Sequence, residues 1–175
     1  MDQLIDMTRP VTEGGVLALA ISPDKRTLAA TSYEDDGGIR LWDLESGRAL
    51  GVRNRGSKPV CWEGMSPSNA KLARCLAFSP DGKRFLSGLD DGTVVLWKTS
   101  GGRRLKTFWG SLDPQAALTK IIYRHETLAM RTAAFCADNE TLLWGSFDGS
   151  ILRVNAESGK SELLAVHGPR EHRGS

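Results

Sequence analysis

The chain repeats two sets of turn signals at a nearly constant spacing. The first set is Ser22-Pro23-Asp24, Ser79-Pro80-Asp81 and Cys136-Ala137-Asp138, in which each triplet lies 57 residues after the one before. The second set is Asp36-Gly37, Asp91-Gly92 and Asp148-Gly149, which follow the triplets in the same order. Self-similarity at a fixed period indicates stacked copies of one supersecondary unit. The sequence therefore predicts three similar units.

Short apolar runs separated by turns fill each unit. In the first unit, Val16–Ile21 ends at a Pro-Asp turn, Thr27–Ser32 runs toward an Asp-Gly pair, and Ile39–Trp42 follows that pair. An Asp-Gly pair between apolar, β-branched runs is typical of a hairpin, because glycine accepts the positive φ that the turn requires. The corresponding runs are Cys75–Phe78, Arg84–Leu89 and Thr93–Trp97, then Thr132–Cys136, Thr141–Ser146 and Ile151–Val154. Fourth strands are expected at Arg48–Arg53, Arg103–Trp109 and Lys160–Val166.

Four antiparallel strands in each unit predict an all-β fold made of three β-propeller blades. The expected organisation is an extra outer strand and lead-in at 1–15, blade 1 at 16–53, a long connection at 54–74, blade 2 at 75–109, a long connection containing a short helix at 110–131, blade 3 at 132–167 and a tail at 168–175. The last three residues of this tail resemble a vector remnant.

Composition and charge point to no special class of partner. The hydrophobic fraction is 40%, the charged fraction is 25% and the formal net charge is +2, which is ordinary for a soluble globular protein and unlike a strongly basic nucleic-acid binder. There is no apolar stretch long enough to cross a membrane and no secretory signal. The sequence contains no recognisable constellation of acid, base, nucleophile or metal-ligating residues, so we expect no metal and no cofactor. The three cysteines are odd in number and have no metal-ligand spacing, which predicts unpaired thiols and a reducing, cytoplasmic location.

Two segments resemble the WD-repeat family, Asp36–Asp43 and Asp91–Trp97. The resemblance implies a structural hydrogen-bond set of a hydroxyl residue, the turn aspartate and the tryptophan in each blade: Ser32, Asp36 and Trp42, then Ser87, Asp91 and Trp97. No histidine accompanies either set to act as a base, so a structural role is expected and a catalytic one is not. Blade 3 departs from the pattern, with Trp144 and Val154 at the matching places.

Large side chains in or beside the long connections are the candidates for partner binding. Such residues either pack a connection onto its blade or face a partner. They are Trp62, Met65, Trp109, Tyr123, Arg124 and His125.

The number of blades bears on function, because closed rings typically contain about four to eight of them. Three blades alone would leave apolar flanks exposed, so closure is expected either by two-fold self-association into six blades or as part of a longer propeller. The sequence predicts a noncatalytic scaffold that binds proteins or peptides. The alternatives are an enzyme on a propeller frame and a weak nucleic-acid-binding module.

Overall fold

The computed structural model describes residues 15–32, 39–50, 72–90, 92–109, 130–146 and 149–167. These residues form three four-stranded antiparallel sheets, which confirms the predicted all-β blades. In chain order the strands are β1 (Val16–Ile21), β2 (Thr27–Ser32), β3 (Ile39–Asp43), β4 (Ala49–Leu50), β5 (Ala73–Phe78), β6 (Arg84–Leu89), β7 (Thr93–Lys98), β8 (Arg104–Trp109), β9 (Met130–Phe135), β10 (Thr141–Ser146), β11 (Ser150–Asn155) and β12 (Ser161–Val166).

Each sheet is a meander in which sequential strands are neighbours. We call β1 to β4 blade 1, β5 to β8 blade 2 and β9 to β12 blade 3. The structure lengthens several predicted strands by one or two residues, and it adds a short 3-10 turn at Ser100–Gly102. It starts each predicted fourth strand one residue later. In blade 1 the predicted strand Arg48–Arg53 is only Ala49–Leu50 within the described residues. The ends of a strand are the hardest part to predict from sequence, because the last residue pairs depend on the neighbouring strand. Among the described residues, no helix is long and apolar enough to cross a membrane.

Blade 2 is packed on both faces. One face joins residues of blade 1, including Ile39 and Leu41, in a shared apolar cluster. The other face joins residues of blade 3, including Leu142 and Trp144, in a second cluster. Side chains alternate between the two faces of a strand, so the same strands of blade 2 supply both clusters. The core of the chain therefore lies in the two joints between blades.

Strand register defines equivalent positions in the three blades. Thr27 pairs with Asp43, Arg84 with Lys98, and Thr141 with Asn155, so these pairs begin the same ladder in each blade. Counting along the strands makes Ala30, Ser87 and Trp144 equivalent, and likewise Trp42, Trp97 and Val154. These equivalences allow the blades to be compared residue by residue.

Several sequence predictions lie outside the described residues. They are the extra outer strand predicted within 1–15, most of the connections at 54–74 and 110–131 with the predicted helix, and the tail at 168–175. These remain predictions, as do the domain boundaries.

Candidate interaction faces

In blade 2, the predicted tryptophan and serine lie in contact. The indole Nε1–H of Trp97 on β7 donates a hydrogen bond to Oγ of Ser87 on β6, over 2.9 Å. Both residues are buried, and the indole also stacks on Phe85 with 6.1 Å between ring centroids. A hydroxyl can accept this bond and still donate one of its own, which suits a buried position. Asp91, the third member of the predicted set, lies outside the described residues.

Blade 1 has a different arrangement. The residue equivalent to Ser87 is the buried Ala30, and Ser32 lies two residues further along β2. The sequence grouped Ser32 with Trp42 by its distance from Asp36, which lies outside the described residues. The loop between the two strands is two residues longer in blade 1 than in blade 2, because Thr31 pairs with Ile39 whereas Gly88 pairs with Val94. Spacing from the turn therefore selects a different position on the strand.

In blade 3, the large and small residues have exchanged places. Trp144 occupies the position of Ser87, and Val154 occupies the position of Trp97. Trp144 is 1% exposed and packs against Phe108 of blade 2, with 6.0 Å between ring centroids. Its Nε1–H has no hydrogen-bond partner among the described residues. Blade 3 therefore also has one buried indole at this pair of positions. It has no serine there to accept the indole hydrogen bond, as Ser87 does for Trp97 in blade 2. Asp148 of this blade lies outside the described residues.

The turns after the first strand of each blade are held by local hydrogen bonds. The hydroxyl of Ser79 donates to Asp81 Oδ1 over 2.6 Å, and that of Ser22 donates to Asp24 Oδ1 over 2.5 Å. Blade 3 has Cys136 in place of serine, and there Thr141 Oγ1 donates to Asp138 Oδ2 over 2.6 Å. In each turn this hydroxyl is the main reason that the pKa of the aspartate lies below its usual range.

Two sheet faces pack against no other described residues of the chain. The side of blade 1 turned away from blade 2 carries Leu19, Ile21, Leu28, Ala30, Arg40 and Trp42, which we call the blade 1 outer face. Leu19 is 62% exposed and Ile21 is 55% exposed. Their equivalents in blade 2, Leu76 and Phe78, pack against the joint with blade 1. The blade 1 outer face thus carries apolar residues like those in a joint between blades, but no other described residues pack against it.

The corresponding side of blade 3 is more polar. It carries Leu143, Ile151, Arg153 and Glu162, which we call the blade 3 outer face. Arg153 and Glu162 are directly opposite each other on β11 and β12, and their side chains form an ion pair.

Most of the candidate partner-binding residues fall outside the described residues. They are Trp62, Met65, Tyr123, Arg124 and His125. The backbone of Trp109 ends β8, where this residue pairs with Thr93. Leu19, Ile21 and Arg40 were not among the predicted partner-binding residues, because only the strand register shows that all three share a face. Within the described ranges, no three His, Cys, Asp or Glu residues lie close enough to hold a metal ion.

Comparisons with known proteins support the repeat interpretation. Residues 7–43 and 66–98 match the family model "WD domain, G-beta repeat". The chain resembles a crystal structure of RRP9 WD40 repeats with a TM-score of 0.65 and 25% sequence identity, over 89% of this chain and 40% of that one. It resembles the structure of U3-55K with a TM-score of 0.64 and 26% identity, over 89% of this chain and 41% of that one.

Three curated relatives match between 28% and 89% of this chain. U3 small nucleolar RNA-interacting protein 2 of Homo sapiens is 33% identical over 59% of this chain and 21% of its own length. Eukaryotic translation initiation factor 3 subunit I of Scheffersomyces stipitis is 27% identical over 89% of this chain and 41% of its own length. Ribosome biogenesis protein BOP1 of Mus musculus is 43% identical over 28% of this chain and 7% of its own length. The chain thus spans less than half of the length of each of these relatives.

These relatives correct one sequence prediction. We expected a cytoplasmic location from the unpaired cysteines, and that prediction is wrong. The relatives that contradict it are named for interaction with U3 small nucleolar RNA and for ribosome biogenesis, and these names point to the nucleolus rather than to the cytoplasm. Cysteine usage separates reducing from oxidising compartments and does not distinguish among the reducing ones.

Proposed function

Because this chain is a WD40-repeat protein, we propose that it is a noncatalytic scaffold that binds other proteins within an RNA-containing assembly. The observation that carries the proposal is the pair of outer faces on a stack of three blades packed against one another. Two well-packed joints fix the relative positions of the sheets, and the outer faces leave large apolar side chains such as Leu19 and Ile21 open to a partner. Exposed apolar patches on stable sheets are typical of interaction sites.

The kind of assembly is suggested by the names of the relatives. One is named for interaction with U3 small nucleolar RNA, one for ribosome biogenesis and one as a subunit of a translation initiation factor. Acidic residues accompany the basic residues of the described turns, as Asp24 accompanies Lys25 and Arg26, which favours protein contacts over a continuous phosphate-binding stripe. We therefore place the primary contact on protein.

We further propose that the ring is completed by blades outside these three, supplied either by a second copy or by other sequence. The connections at 54–74 and 110–131 remain the proposed partner-binding segments, with Trp62, Met65, Trp109, Tyr123, Arg124 and His125 as the anchors. Long connections in compact domains are commonly functional, and aromatic anchors often dominate binding energy.

Affinity purification of the tagged full chain, with and without ribonuclease, tests the proposal. We expect a defined set of proteins that persists after ribonuclease and is lost from a W62A/Y123A variant. The matched control is R48A, an exposed arginine on a blade turn outside both connections. If every recovered protein required RNA, or if the chain bound single-stranded RNA directly with strong salt dependence, nucleic-acid binding would replace this proposal.

A further inference from the structure

Two turns of blade 2 meet at one edge of its sheet. The backbone N–H of Thr99 donates to the carbonyl of Lys83 over 2.9 Å. The backbone N–H of Lys98 donates to the carbonyl of Arg103 over 2.8 Å, and Arg104 follows as the first residue of β8. The backbone thus holds four basic residues at this edge, which we call the blade 2 basic patch: Lys83, Lys98, Arg103 and Arg104.

The four residues of the patch are all exposed to solvent. Two neighbouring basic residues of the same blade are used differently. Arg84 donates to the backbone carbonyl of Asn139, and Lys106 donates to that of Glu157, so both reach into blade 3. These two side chains join blades 2 and 3, whereas the side chains of the patch remain accessible to a partner.

The equivalent positions in blade 1 have balanced charges. Strand pairing makes Arg26 equivalent to Lys83 and Asp43 equivalent to Lys98. The same backbone hydrogen bond is present there, from the N–H of Leu44 to the carbonyl of Arg26 over 2.7 Å. Blade 1 therefore has one cation and one anion at two positions where blade 2 has two cations.

These two positions are close enough for their charges to interact. The hydroxyl of Ser46 and, to a smaller degree, the charge of Arg26 hold the pKa of Asp43 below its usual value of 3.8. In blade 2 the same positions carry Lys83 and Lys98, and like charges on neighbouring strands repel each other. Asp81 offsets this repulsion only in part, since its Oδ2 lies 4.0 Å from Nζ of Lys83. The patch therefore favours the approach of a carboxylate from a partner.

Exposed acidic residues lie on the neighbouring blades. Glu140 of blade 3 is at the position equivalent to Lys83. Glu157 lies in the turn between β11 and β12, and Glu45 lies in the corresponding turn of blade 1. A phosphate backbone that ran across several blades would meet these carboxylates, whereas a short acidic segment could remain on blade 2.

An apolar residue lies beside the charges of the patch. Leu105 occupies the bulge between Arg104 and Lys106 and is 39% exposed. Interfaces between proteins combine apolar contacts with a polar rim, which suits a leucine next to arginine. Single-stranded nucleic acid is usually bound on aromatic side chains, and none of the patch residues is aromatic. Charge and shape of the patch thus favour a protein segment.

We propose that the blade 2 basic patch binds an acidic segment of a partner protein, with Leu105 making an apolar contact beside the charges. The inference rests on the proposed function, which places the primary contact on protein, and it adds the chemistry of one such contact. Carboxylates of the segment relieve the repulsion between Lys83 and Lys98. The guanidinium groups of Arg103 and Arg104 can each hold a carboxylate through two hydrogen bonds.

Fluorescence anisotropy with a short labelled peptide of alternating glutamate and serine tests the proposal on the full chain. We expect saturable binding that weakens as the salt concentration rises, and no binding of the matching peptide of glutamine and serine. The K83E/R103E variant should bind the acidic peptide about tenfold more weakly or worse.

Blade 1 supplies a control matched by position. R26E/R48E makes the same change in net charge at the positions equivalent to Lys83 and Arg103. We expect it to alter the affinity for the acidic peptide by less than about twofold, because charges away from the binding site are screened by salt. Urea melts confirm that each variant is folded before its affinity is interpreted.

K98D is the variant most compatible with the fold, since blade 1 has an aspartate at this position. It gives Lys83 a counter-charge within the chain. We therefore expect the affinity for the acidic peptide to fall about fivefold or more, while the urea midpoint stays unchanged or rises.

Two results would overturn the proposal. One is an acidic peptide that does not bind, or that binds K83E/R103E and R26E/R48E equally well. The other is a uridine oligonucleotide of equal charge that binds more tightly than the peptide and is lost in K83E/R103E, which would assign the patch to RNA. The scaffold proposal is judged separately, by the recovery of ribonuclease-resistant partners that depend on the two connections.

Discussion

Trp97 donates its indole hydrogen to the hydroxyl of Ser87 over 2.9 Å, inside the joint between blades 1 and 2. We expect S87A to leave this buried N–H without its acceptor and to lower the free energy of unfolding by about 1–3 kcal/mol. The measurement is urea unfolding followed by tryptophan fluorescence and far-UV circular dichroism.

The equivalent position in blade 1 provides the matched control. A30S introduces a hydroxyl beside Trp42, at the place where Ser87 lies beside Trp97. We expect A30S to change the free energy of unfolding by less than about 1 kcal/mol in either direction. Equal losses in S87A and A30S would contradict the assigned role of the Ser87 hydroxyl.

Trp144 and Val154 are predicted to be energetically coupled, because together they occupy the space that Ser87 and Trp97 occupy in blade 2. W144A should lower the free energy of unfolding by about 3–5 kcal/mol through loss of buried area and formation of a cavity. V154W alone should cost about 1–3 kcal/mol by overpacking.

The double variant W144S/V154W rebuilds the blade 2 arrangement of a serine and a tryptophan. We expect it to be more stable than the sum of the single changes W144S and V154W predicts, with an interaction energy of about 1–3 kcal/mol. A strictly additive cycle, measured by urea unfolding, would show that the two positions do not compensate for each other.

Most strands of the fold could be predicted from local sequence signals. The first three strands of each blade followed from apolar runs bounded by Pro-Asp and Asp-Gly turns, and their ends needed only one or two residues of correction. The fourth strand of blade 1 was predicted at Arg48–Arg53 and is Ala49–Leu50 within the described residues. The partner of Trp42 could not be found in this way, because two additional residues in the blade 1 loop shift the strand register relative to the turn. Local spacing and strand pairing are separate quantities, and only the pairing decides which side chains share a face.

The residues of the candidate interaction faces could likewise be assigned only from the strand pairing. Arg40 and Arg153 are unremarkable charges in the sequence, and each follows or precedes apolar residues as a solvent-facing strand residue would. Once the register makes Arg40 equivalent to Val95, the charge is seen to lie at a position that is buried in the next blade. This equivalence depends on the strand pairing in the sheets. The sequence therefore predicted open flanks on the end blades but did not show that Arg40 occupies a position that is buried in the next blade.

Stability is expected to fall in acid, and Asp81 contributes to this dependence. The hydroxyl of Ser79 holds the pKa of Asp81 below its usual value of 3.8. A carboxylate whose pKa is lowered by folding stabilises the protein above the pKa of the unfolded chain, and this contribution is lost as the pH falls through the pKa of the folded state. We therefore expect urea midpoints to be steady near neutrality and to decrease below about pH 4.

D81N separates this contribution from those of the other carboxylates. The amide oxygen still accepts from Ser79, but the side chain no longer titrates. The decrease in urea midpoint between about pH 5 and about pH 2.5 should be smaller in D81N than in the wild-type chain. Identical pH profiles for the two proteins would contradict a native role for the ionised Asp81.

Asn139 connects the turns of blades 2 and 3. Its side-chain Oδ1 accepts from the backbone N–H of Asp81 over 2.9 Å, and its carbonyl accepts from Arg84 Nη2 over 2.5 Å. Its φ of 61° lies in the left-handed region, and the equivalent residue in blade 2 is Gly82 with a φ of 68°. Asn139 therefore contributes both a hydrogen-bonding amide and tolerance of an unusual backbone conformation.

Two substitutions at this position separate these contributions. N139G keeps access to the left-handed region and loses only the amide, so we expect a loss of about 0.5–1.5 kcal/mol in the free energy of unfolding. N139A loses the amide and also carries the left-handed penalty of about 1–2 kcal/mol, so it should be the less stable of the two by roughly that amount. K25G, at the equivalent turn of blade 1 with a φ of 60°, relieves the same backbone penalty and is expected to be neutral or stabilising. Equal unfolding free energies for N139G and N139A would show that the backbone conformation at this joint is not maintained in solution.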